Sequence, residues 1–163
     1  MKPAYLLAAL AVLAAAGGAY TVMHMMYNGH HDMTVQATAG QLSIGNATAR
    51  FLLEGRPGAV FLSIDNKGSA DKLIAASSTL SQRVELHTHT MDNGVVRMRP
   101  VEVIEIPAGS VTELKSGGYH IMMFDVKSMP EKGSTVPLTL TFENAGDVQI
   151  GAIAGETGAT HNH

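Results

Sequence analysis

An all-β sandwich is what this sequence predicts, on three observations. Apolar and polar residues alternate over short runs, turn clusters break these runs about every 8 to 14 residues, and no helical run of useful length occurs beyond the first twenty positions. With 163 residues, 45% of them hydrophobic, the chain has enough apolar surface for one compact domain with a real core.

The chain opens with "MKPAYLLAALAVLAAAGGAY", one lysine followed by an apolar stretch from Tyr5 to Ala16 and then small residues. This is the layout of a secretory signal, with Ala14, Ala16 and Ala19 as cleavage-site residues. Two readings are open: removal of the leader, which its small-residue end favours, or retention as a membrane anchor, since the uncharged run from Pro3 to Val22 is about long enough to span a bilayer. Both place the domain outside the cytoplasm. Residues 1–22 are thus read as a signal or anchor helix, 23–33 ("MHMMYNGHHDM") as a His/Met-rich linker, 34–154 as the sandwich and 155–163 as a frayed tail ending in His161 and His163.

Within the sandwich, "AVFLSID" sets Val60, Leu62 and Ile64 on one face. "TVPLTLTFE" does the same with Val136, Leu138, Leu140 and Phe142, leaving Thr139 and Thr141 on the wetter side. The clusters "NKGSAD", "MDNG", "IPAGS", "KSGG" and "ENAG" mark the turns, the last joining "TLTF" to "DVQIGAI" as a closing hairpin.

Composition removes several classes of function. Net charge is −3 and the 11 Lys and Arg are scattered, so neither nucleic acid nor an anionic membrane surface is an expected partner; membrane contact is expected only through an uncleaved leader. Cysteine is absent, which excludes thiolate nucleophiles, cysteine-type zinc sites and cysteine-ligated electron-transfer copper. Soft-ligand chemistry must therefore use the 10 methionines, alongside 8 histidines.

Alternation again sorts the candidates. In "RVELHTHTMDNGVVRMRPV", Val84, Leu86 and Thr88 face one way and Glu85, His87 and His89 the other; in "GYHIMMF", His120 and Met122 point together, roughly 7 Å apart, opposite Ile121 and Met123. The "DNG" turn folds the first segment back on itself. A two-residue loop at Asn93 and Gly94 sets His89 opposite Met98, whereas a four-residue loop sets His87 there, so geometry supplies a His and a Met without choosing the His. Imidazoles and thioethers together suit copper, and four neutral ligands favour Cu(I). Glu85, Arg97 and Arg99 read as a solvated strand face, the two arginines also as a means of docking an acidic partner.

The spacing His87, ten residues, Met98, twenty-one residues, His120, one residue, Met122 matches the H-x10-M-x21-H-x-M pattern of the PCu(A)C periplasmic copper chaperones, which this chain resembles from about residue 35 to 152. From composition, such a coincidence has a chance on the order of 10⁻³. The resemblance implies a cupredoxin-like Greek-key β-sandwich, a metal site of His87, Met98, His120 and Met122, and delivery of Cu(I) in the periplasm to respiratory cytochrome c oxidase or its assembly factors. It implies a carrier rather than an enzyme. A small copper redox enzyme or a general periplasmic copper buffer is the alternative, the enzyme ranking lower because no acid–base carboxylate or nucleophile accompanies the site. Cu(II) at the His/Met-rich tails is a further expectation, although family members often carry a longer C-terminal tail than the "HNH" found here.

Overall fold

The computed structural model describes residues 33–155. The expected leader, the tail beyond Gly155 and all of the expected linker except Met33 lie outside them.

Eleven strands fill this region: β1 (Val35–Ala39), β2 (Leu42–Arg50), β3 (Gly58–Asn66), β4 (Asp71–Ser77), β5 (Ser81–Asp92), β6 (Val95–Val101), β7 (Ile104–Ile106), β8 (Ser110–Leu114), β9 (His120–Val126), β10 (Thr135–Phe142) and β11 (Gly146–Gly155). They hydrogen-bond in the order β6-β5-β9-β3-β2-β11-β10-β4-β7, with β1 on β2 and β8 on β3. All pairs are antiparallel except β2 with β11. Among the described residues, no helix is long and apolar enough to cross a membrane.

Period-2 alternation builds the core. Val60, Leu62 and Ile64 of β3 and Val136, Leu138, Leu140 and Phe142 of β10 are buried, as their patterns require, and they join Ile44, Leu73, Ile104, Ile106, Ile121 and Met123 in one apolar cluster. The "ENAG" turn joins β10 to β11 with Phe142 paired to Gly146.

Two local features position the site. β8 and β9 both pair with β3, at Leu62–Asn66 and at Gly58–Val60 respectively, so they follow one another along the same edge of that strand. The "KSGG" turn between them, with Gly117 at φ 82° and Gly118 N–H bonded to the Lys115 carbonyl, turns the chain so that β9 begins at His120 and runs between β3 and β5. The second feature is the β5–β6 hairpin. Asn93 and Gly94 both adopt positive φ, 49° and 79°, the conformation of a tight two-residue loop in which Gly carries no Cβ penalty and Asn little.

Candidate metal centre

The hairpin register settles which histidine faces Met98. His89 pairs with Met98, while His87 pairs with Pro100 on β6 and with His120 on β9. Of the two loops open at the sequence level, the short one is present. His87 is therefore the direct neighbour of His120 and lies diagonal to Met98 and to Met122, which itself stands opposite Glu85.

The three imidazoles nevertheless converge. Ring centroids of His87 and His89 lie 5.9 and 5.1 Å from that of His120. An imidazole nitrogen sits about 2.0 Å from a bound first-row metal, so two rings sharing one ion have centroids roughly 5 to 6.5 Å apart. Both pairs fall in that range. Among the described residues, no group of three or more His, Asp or Glu forms a ready metal cluster.

His120 and Met122 are more enclosed than their place opposite the core suggests. Alternation opposite the core reads as a half-open face, yet His120 is 2% exposed and Met122 9%, and β9 buries both faces from His120 through Met123. β9 runs between β3 and β5, and the β2–β3 connection, 51–57, lies by the same face. Gly58 lets this connection close onto the sheet, since a Cβ there would collide with the Phe51 ring. Leu52, Leu53, Arg56 and Pro57 of the connection, with Arg50, Ala59 and Phe61, then wall a pocket of about 510 Å³ whose floor carries His89, Met98, His120 and Met122. His87 does not line it. Met98 is 52% exposed and stands at the rim.

Hydrogen bonds determine which ring nitrogens are free. His120 Nδ1–H donates to the Gly118 carbonyl at 2.9 Å, which leaves Nε2 as the bare nitrogen. His87 Nε2–H donates to Glu85 Oε2 at 2.8 Å, which leaves Nδ1 bare. These two bare nitrogens, His87 Nδ1 and His120 Nε2, are buried and have no partner. Burial holds the His120 imidazole below the usual histidine range; His89 and His87 push the same way, and the Gly118 carbonyl opposes them. Burial thus favours the neutral ring, the form able to donate to a metal.

Glu85 is the site residue that the sequence reading missed. On alternation alone it belongs to a solvated face, whereas here its carboxylate is bound to His87. The signal was its position two residues before His87, the spacing that stacks side chains on one strand face. Leu52 and Leu53 were missed too, although an apolar pair beside the turn-forming "GRPG" was a visible anomaly. Arg97 and Arg99 are exposed as expected, Arg97 lying 3.9 Å from Asp92.

Comparison with known proteins bears directly on this arrangement. The model of the LpqE-like family matches residues 31–153. The chain belongs to the LpqE-like family. A curated relative from Leifsonia xyli subsp. xyli (strain CTCB07), named as lipoprotein Lxx21020, is 30% identical over 108 residues, covering 64% of this chain and 65% of its own, just under two thirds of that relative's length. Among solved structures, the copper-bound PCuAC domain from PmoF2 superposes with a TM-score of 0.65 at 25% identity, covering 75% of this chain and 98% of that domain. Apo-DR1885 from Deinococcus radiodurans has a TM-score of 0.56 at 24% identity, covering 80% and 89%. The LpqE-like chain thus has the cupredoxin-like all-β sandwich, and the PCu(A)C resemblance drawn from the four-residue spacing is borne out.

Proposed function

We propose that this LpqE-like protein is an extracytoplasmic Cu(I) carrier that binds the ion through His87, Met98, His120 and Met122 and hands it to an acceptor by ligand exchange. The observation that carries this reading is the pair of buried imidazole nitrogens left without hydrogen-bond partners on neighbouring strands, one of them, on His120, in a residue that shares a pocket with Met98 and Met122. A buried polar atom without a partner costs about 1–3 kcal/mol, and such atoms are rare in native folds unless a ligand completes them. The similarity to a copper-bound PCuAC domain supports copper as that ligand, and the neutral soft donors support the cuprous state.

The gradient of exposure describes the exchange. Met98 at the rim is the thioether an incoming acceptor displaces first, while His87, His120 and Met122 retain the ion inside until the acceptor supplies further donors. The acceptor in this reading is respiratory cytochrome c oxidase or one of its assembly factors, and the compartment is the periplasm or its equivalent outside the inner membrane. The lipoprotein name of the curated relative supports an envelope location.

Substituting His120 and Met122 together by Ala tests the site. Loss of bound copper with an unchanged circular dichroism spectrum supports the carrier, and unchanged copper stoichiometry removes it. For delivery, a strain lacking the protein is expected to assemble oxidase with less copper, restored by the wild type but not by the double variant.

A further inference from the structure

His87 and His89 compete for the same role. His89 has the stronger claim by position, since it faces Met98, lines the pocket and lies nearer to His120 than His87 does. What separates the two rings is how each is held.

His87 sits in a closed chain of contacts. The Glu85 carboxylate can only accept, so the 2.8 Å contact fixes the His87 proton on Nε2 and keeps the buried Nδ1 lone pair bare. Glu85 is itself pinned, its other oxygen lying 3.4 Å from Arg83 Nη1. The Arg83 guanidinium lies over the Phe124 ring at 4.1 Å, and Phe124 lies 5.9 Å from the His87 ring, which closes the chain. His89 has no comparable support. Its Nδ1 reaches only the Gly118 carbonyl, at 3.4 Å, and that oxygen already accepts from His120 at 2.9 Å.

We propose that Glu85 is a positioning residue that selects His87 over His89 as the copper-binding imidazole, a proposal that rests on the carrier reading above. A free imidazole exchanges its proton between Nδ1 and Nε2, so an unsupported ring must be reoriented or change tautomer before it ligates. The carboxylate removes that cost for His87 alone and makes its ring a stronger donor. Without the carboxylate the advantage disappears, and the ring that faces Met98 takes over.

The test uses the full chain. In the metal-free protein, ¹⁵N spectra of the histidine rings are expected to show His87 as the Nε2–H tautomer, a mixture in Glu85→Ala, and recovery in Glu85→Gln, whose amide oxygen still accepts. Competition for Cu(I) against a chelator is expected to show E85A binding about 10–100-fold more weakly than wild type and E85Q in between. H87A costs more than H89A in the wild type, the order reverses in the E85A background, and E85A with H87A is no worse than H87A alone. An unchanged His87 tautomer in E85A, additive effects of E85A and H87A, or H89A costing as much as H87A in the wild type would each overturn the selection by Glu85. A wild type that binds no Cu(I) would instead overturn the carrier reading, an outcome distinct from these because the tautomer is measured without metal.

Discussion

Two of the regions that bury polar side chains in this fold treat them in opposite ways. At one, Asp71 on β4 and Asn66 at the end of β3 are buried and saturated. The Asp71 carboxylate accepts from the Lys72, Asn144 and Ala145 backbone N–H groups and from Asn144 Nδ2. Asn66 accepts from Gly68 N–H and donates to the Ser69, Ile106 and Pro107 carbonyls. At the other region, His87 and His120 are equally buried, yet each keeps one nitrogen unpaired. The first pattern ties a β-turn and two strands together and is what burial of polar atoms ordinarily demands. The second leaves a debt that folding alone does not settle, and one of its two histidines, His120, lines the pocket where thioether sulfur is at hand. Satisfied polar burial marks architecture here, and unsatisfied polar burial marks the candidate site.

The comparison breaks most sharply if His120→Ala leaves copper binding intact. The expected result is a loss of Cu(I) affinity of more than about 100-fold, beyond the 10–100-fold typical of residues that only support a ligand, with thermal stability of the metal-free protein little changed. Asp71→Asn is the mirror experiment. Asn keeps one acceptor oxygen but sets its NH2 against the Ala145 N–H, stranding that group at the β10–β11 turn; this should cost about 1–3 kcal/mol, or roughly 3–12 °C in Tm, while copper affinity measured below the transition stays at the wild-type value.

Acid titration of metal-free protein sharpens the same contrast. His120 titrates below its ordinary value in the fold, chiefly through burial, so the unfolded chain takes up the proton first as pH falls through about 6.5, and stability declines from there until the folded-state value is passed. Asp71 also titrates below its ordinary value: burial raises it, but the hydrogen bonds from Asn144, Lys72 and Ala145 outweigh that. Its contribution is complete above about pH 3.9 and is lost as pH falls through the folded value. Denaturant melts across pH should show both declines in the wild type, only the acidic one in H120A and only the milder one in D71N. The smallest expected effect belongs to Met98→Ala. With this side chain half exposed at the rim, affinity should fall only about 3–10-fold, mostly through faster release in stopped-flow exchange with a chelator.

Alternation in the sequence was enough to determine the all-β class, the buried faces of β3 and β10, the "ENAG" and "DNG" turns, and the fact that His120 and Met122 share one face opposite Ile121 and Met123. These depend on a period of two and on turn chemistry, both local properties. Donor chemistry was equally legible, because a cysteine-free chain with paired His and Met leaves few metals to choose from. Three matters were decided only by tertiary structure. The two-residue loop had to be seen before His89 rather than His87 could be set against Met98. His120 and Met122 are buried and share a pocket with the remote connection 51–57, which nothing in "GYHIMMF" encodes. Finally, Glu85 reads as solvated until the fold shows its carboxylate on His87. Alternation reports which face a side chain occupies, while the partner it meets there depends on long-range packing and rotamer choice that no local pattern carries.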